Sequence, residues 1–167
     1  MPIQSEDFRD VLRLFPAGVT VVTVKSGDDI HGVTVSAFAS VSPKPPLILV
    51  CIDHRGRAHE LFEHSDAVFA VNILREGQDD VSNRFAFSDE DRFATGNWTT
   101  AATGAPIFED ALAWLDCTVY SRHTAGTHTI YIGEVQASNV VAEETPLVYW
   151  NRSYRSVVAS TTELKED

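Results

Sequence analysis

The chain has 167 residues, 44% of them apolar, and a formal charge of −11 from 24 acidic against 13 basic side chains. That length suits one domain, able to bury roughly 70% of the surface its unfolded form exposes. The acidity argues against a nucleic-acid binder and against anionic membranes, no apolar run approaches the ~20 residues of a membrane helix, and a nucleotide cofactor would need locally concentrated donors.

The N-terminal stretch MPIQSEDFRDVLRLF lacks the basic start and apolar core of a signal peptide, so the protein is read as cytoplasmic. Within it, Phe8, Val11, Leu12 and Phe15 follow helical spacing, which predicts a helix over 5–15 with one buried face. Ser5 is the expected cap, and Pro16 and Gly18 the stop. GVTVVTV (18–24) and GVTVSAF (32–38) read as a hairpin joined by the turn cluster SGDD, before the prolines of SPKPP (42–46) break the pattern. PLILVCI (46–52) and AVFAVNIL (67–74) read as strands buried on both faces. Further strands are expected at 112–120, 128–141 and 146–150, and short helices at 57–64 and 78–86. The polar, Gly/Thr-rich stretch 88–106 reads as a long loop. Many short strands with few helices predict a mainly β protein, an antiparallel barrel or sandwich. The expected domain spans 1–167, with a core over about 8–157 and a flexible tail at 158–167.

Cys51 and Cys117 sit in apolar runs without a C-x-x-C pair and read as reduced core thiols. His59 and His64 are five residues apart, so they do not share a helix face as a zinc pair would, and no metal site is assigned. Neither G-x-G-x-x-G nor the P-loop pattern occurs, so any dinucleotide is not held in the Rossmann manner.

Three segments could carry chemistry. Around Phe38 cluster the small or hydroxylated residues Thr34, Ser36, Ala37, Ser40 and Ser42, which would let a flat ligand approach the backbone. The same pattern suits a strand with one polar face, and the residues alone leave both open. Arg55 and Arg57 precede a helix start, an arrangement that suits an anion or a solvated loop. His128 opens a strand after a glycine-containing turn, where it could position a substrate or serve the structure.

Together these segments resemble the flavin reductase-like family. FPAGVTVVT (15–23), HGVTVSAFASVSPKPPLILVCID (31–53), FAVNIL (69–74), Gln78, RFA (84–86), DRF (91–93), GAP (104–106), LAWLDC (112–117) and HTIYIGEV (128–135) follow in family order, from about Phe8 to Tyr154. The resemblance implies an FMN-binding split β-barrel, a Greek-key antiparallel barrel with a few short peripheral helices. It further implies a homodimer with flavin near the interface.

By the same resemblance Thr34, Val35, Ser36, Ala37 and Phe38 contact the flavin, with Ser40 and Val41 beside them. Asp53, Arg55 and Arg57 lie toward the phosphate or adenylate, and His59 and Glu60 at the following helix start. Phe85 and Ala86 make a further flavin contact. His128 lies by the flavin ring and the nicotinamide, and Arg152 and Tyr154 approach the nicotinamide nucleotide. Val35 and Ala37 depart from the family's usual Ala and Ser, and Thr127 stands where Asp usually precedes the histidine. The implied activity is an NAD(P)H:flavin oxidoreductase that supplies reduced FMN or FAD to a partner aromatic monooxygenase. NADH is preferred over NADPH because the chain is acidic. A split-barrel flavin- or haem-binding protein without turnover, or a pyridoxamine-phosphate-oxidase-type enzyme, would share the barrel.

Overall fold

The computed structural model describes residues 2–158, so the tail expected to be flexible lies, beyond Val158, outside the described residues. In chain order the elements are α1 (Ser5–Leu12), β1 (Ala17–Gly18), β2 (Thr20–Ser26), β3 (Asp29–Val35), β4 (Phe38–Pro43), β5 (Pro46–Asp53), α2 (Arg57–Phe62), β6 (Val68–Ile73) and α3 (Asp79–Phe87). Then come β7 (Trp98–Thr99), β8 (Ile107–Phe108), β9 (Ala113–Ala125), β10 (His128–Val140), β11 (Val148–Trp150) and β12 (Ser153–Arg155).

Seven strands form one antiparallel sheet in the order β3-β2-β6-β9-β10-β5-β4. β3 and β4 are its opposite edges, yet only Ser36 and Ala37 separate them in sequence. Two residues cannot cross a flat seven-stranded sheet whose strands lie about 4.8 Å apart. The sheet therefore curls until its two edges come together at Ser36–Ala37, which makes a barrel split along one side, where β3 and β4 are not hydrogen-bonded to each other. At the seam the Cys51 N–H donates to the Ala37 carbonyl at 3.1 Å.

β2 shows how the sequence drives this packing. Val22 and Val24 enter the barrel core with Val50, Phe62, Phe69, Val71 and Tyr131. Val21, on the opposite face, packs under α3 with Leu74, Val81 and Phe85. A run of β-branched residues suits a strand covered on both sides. β10 admits the Phe69 ring by placing Gly133 against it, where an added Cβ would collide with Phe69 Cζ.

Several expectations need correction. The strand predicted over 32–38 stops at Val35, because the chain must leave one sheet edge and join the other at Ser36–Ala37. The prolines at 42–46 do not end the β pattern: Pro43 pairs with Pro46 in the turn between β4 and β5, and an edge strand tolerates missing N–H donors. β5 is buried on one face only, through Ile48, Val50 and Ile52, since its other face looks away from the barrel. α1 stops at Leu12, with Gln4 rather than Ser5 at the cap position. Its apolar face is not buried: Phe8 is 52% and Phe15 74% exposed. The helix is tied to the β11–β12 hairpin by the Asn151 N–H to the Arg13 carbonyl, 2.8 Å, and Trp150 Nε1 to the Leu14 carbonyl, 2.9 Å. The long loop holds the short β7, and is anchored where the buried Asp116 accepts from the Thr103 N–H at 2.8 Å.

Candidate active site

Two grooves flank the barrel seam. The first, about 250 Å³, lies between the end of β3, the end of β5 and the start of β10, and is lined by Val35, Ser36, Ala37, Asp53, Gly56 and His128 among others. The second, about 310 Å³, lies between β3, α3 and the C-terminal hairpin, with Ser82, Ala86, Tyr149, Arg152 and Tyr154 on its walls. Thr34 and Ser36 line both, so the grooves share one wall. The topology explains that wall. Because the chain leaves the sheet at Ser36–Ala37, this short bridge with small side chains is not roofed by a neighbouring strand, and a flat ring can approach its backbone.

His128 stands opposite Asp53 across the β5–β10 pair. Its Nδ1 lies 2.9 Å from the hydroxyl of the preceding Thr127. Thr34 Oγ1 donates to the Ser82 carbonyl at 2.6 Å, which ties the shared wall to α3. Tyr154 Oη bonds Ser82 Oγ at 2.8 Å and Asn83 Oδ1 at 2.9 Å, tying the hairpin to the same helix.

Of the expected site residues, Thr34, Val35, Ser36, Ala37, Asp53, Ala86, His128, Arg152 and Tyr154 line these grooves. Others do not. Phe38 packs against the barrel core. Ser40 and Val41 lie on the exposed edge strand β4, at the bulge between Ser40 and Ser42. Arg55 turns back onto Asp53, its Nη2 2.6 Å from the carboxylate. That pair holds the Asp53 carboxyl well below the usual carboxylate range and spends the guanidinium locally. Arg57 reaches Asp29 at 3.3 Å and lines a neighbouring cavity of about 580 Å³ with His31 and Arg92. Phe85 is fully buried beneath Gly32. Glu60 is exposed on α2.

His59 turns inward. Its Nε2 lies 3.3 Å from Thr129 Oγ1 and 3.8 Å from Glu63, beside His54, which reaches the same hydroxyl at 3.0 Å. Tyr131, itself buried, donates to Glu63 at 2.6 Å. This network lies behind the groove because Thr129 points to the opposite side of β10 from His128. Sequence reasoning missed the groove residues Val19, Ser82, Asn83 and Tyr149, which only packing brings to β3.

The family description "flavin reductase like domain" matches residues 12–158. This chain belongs to the flavin reductase-like family. It is 39% identical over 153 residues to the actinorhodin polyketide dimerase of Streptomyces coelicolor, covering 91% of this chain and 86% of that protein. It is 36% identical over 162 residues to the reductase subunit HsaB of a flavin-dependent monooxygenase of Mycobacterium tuberculosis, covering 96% and 86%. The solved NADH:FAD oxidoreductase SgcE6 of Streptomyces globisporus, in complex with NAD and FAD fragments, superposes with a TM-score of 0.86 at 32% identity, covering 97% of this chain and 99% of that one. The mainly β split-barrel fold is that of solved flavin reductases. The reductase acts on a flavin with a nicotinamide nucleotide as electron donor.

The residues present fit those two ligands. Small residues and open backbone line the first groove, and a second groove opens onto the same wall, so two rings can meet there.

Proposed function

We propose that this protein is an NADH-dependent flavin reductase that works as a homodimer in the cytoplasm and hands reduced flavin to a separate monooxygenase. The observation that carries the reading is the shared wall at Thr34 and Ser36, with His128 at one groove and Arg152 and Tyr154 at the other. When bound, the flavin and nicotinamide supply the chemistry, a hydride moving from nicotinamide C4 to flavin N5. The protein contributes orientation: holding two rings in near-attack geometry removes several kcal/mol of the barrier. Ser36 and Ala37 take the flavin edge, Thr127 orients the His128 ring, and His128 meets the nicotinamide from the flavin-groove side of the shared wall. Tyr154, locked by Ser82 and Asn83, sets the far boundary of the donor groove. Both grooves open to solvent, which suits release of reduced flavin each turnover. The exposed apolar side chains of α1 support the dimer, since a second copy would cover them. Among the described residues no helix is long and apolar enough to cross a membrane.

The test is oxidation of NADH or NADPH with FMN, FAD or riboflavin in turn. NADH is expected to be oxidised with FMN or FAD, and no turnover with any pair would overturn the reading. In the His128→Ala variant the Michaelis constant for NADH rises more than flavin affinity falls. An unchanged constant removes the assigned role.

A further inference from the structure

Arg9 of α1 and Arg13, its C-terminal cap, are four residues apart on one face. Both line a cavity of about 310 Å³ together with Arg152, Phe15 and Tyr149. This cavity continues the donor groove, because Ser36, Tyr149 and Arg152 line both. Arg13 and Arg152 are gathered on one oxygen, Asp10 Oδ1, at 3.5 and 3.3 Å. Among the described residues Arg9 has no ion-pair partner. Three guanidiniums and one carboxylate, Asp10, thus gather beside the site, so Asp10 offsets one of the three positive charges and two remain in a chain of net charge −11 that would otherwise repel an anionic nucleotide.

The backbone adds a second indication. Arg152 has φ +64° and Asn151 φ +49°, both in the left-handed region. A two-residue hairpin turn of this kind favours Asn followed by Gly. Here an arginine occupies the second place, at a steric cost that a glycine would avoid. Strain retained at a site wall points to a task for that side chain.

We propose that Arg9 of α1 and its cap Arg13 join Arg152 in a clamp for the pyrophosphate of the nicotinamide dinucleotide, which makes the N-terminal helix part of the electron-donor site. The inference rests on the reductase reading and extends it from the rings to the anionic body of the donor. Guanidinium forks suit phosphate oxygens in bidentate pairs. Phe15 and Tyr149 supply an aromatic surface at the same cavity.

Calorimetric titration of ADP-ribose into the full chain tests the clamp apart from catalysis. In the R9Q/R13Q variant the dissociation constant for ADP-ribose rises about tenfold or more, the scale expected for lost charge-assisted bonds. The flavin dissociation constant, read by fluorescence, stays put. The Michaelis constant rises more for NADH than for reduced nicotinamide riboside, which has no phosphate. R9K/R13K recovers part of the affinity. An unchanged ADP-ribose constant overturns the clamp, whether or not sedimentation then shows a changed oligomeric state that assigns this face to a second copy. Equal losses for NADH and the riboside overturn it too. Failure of the wild type to oxidise NADH with any flavin would instead strike the reductase reading, which ADP-ribose binding does not measure.

Discussion

The two sides of the seam are built differently. The groove at Ser36, Ala37 and His128 stands on barrel strands whose far faces are packed on Val50, Phe69 and Tyr131. The other side carries the β11–β12 hairpin, held to the chain just after α1 by Asn151 and Trp150, which donate to the Arg13 and Leu14 carbonyls, by the exposed Arg152–Asp10 pair, and to α3 by Tyr154. Buried packing resists displacement, whereas exposed ion pairs are worth roughly 0–1 kcal/mol. On the proposed assignment of the grooves, the flavin side is the more firmly packed of the two and the donor side the more weakly held.

Gly133→Ala attacks the firmly packed side hardest. Its new Cβ would collide with Phe69 Cζ and lie 3.2 Å from Cys117 Cβ, both on fully buried residues. Overpacking of this kind costs about 1–3 kcal/mol. A lower midpoint in urea is expected, with the donor-side hairpin changed only through loss of the whole fold. A midpoint equal to wild type would show that the barrel yields as easily as the hairpin.

Trp150→Phe probes the weakly held side. It removes the bond from Nε1 to the Leu14 carbonyl, a contribution of about 0.5–1.5 kcal/mol. The expected readout is faster hydrogen exchange in residues 5–15 with little change in barrel amides. A uniform change throughout would mean that α1 and the barrel open as one unit.

The smallest effect concerns pH. Burial first, then the charges of Arg92 and Arg57, pull His31 on β3 down to about 4. In the unfolded chain it titrates near its ordinary value of 6.5. Between those values the unfolded state binds more protons, so the stabilisation is complete above pH 6.5 and fades as pH falls toward 4. His31→Asn should flatten the melting temperature across that window, and an unchanged slope would assign it to other groups.

Much was legible along the chain. The β-branched run of β2, the turn cluster at 26–29 and the apolar run of β6 mark strands by local chemistry, and the order of the motifs over 15–135 pointed to the family and its barrel. The expected site residues that do not line the two grooves share a cause. His59 and Glu60 follow the site loop in sequence, but helical rotation sends His59 to Thr129 and Glu60 to solvent. Phe85 has the right neighbours in the chain and lies beneath Gly32 instead of beside the groove. The spacing of Phe8, Val11, Leu12 and Phe15 reported an apolar face correctly, but periodicity cannot say what covers it.

The Gly32–Ser42 segment divides these contributions most clearly. Its small and hydroxylated residues, which leave room beside the backbone, are written in the sequence. That two of them, Ser36 and Ala37, bridge opposite edges of one sheet was decided by tertiary structure. Strand order is set by pairing between residues far apart in the chain, and local composition carries no record of it. The same pairing brought Tyr149 and Arg152 to the wall of β3, and with them Arg9 and Arg13.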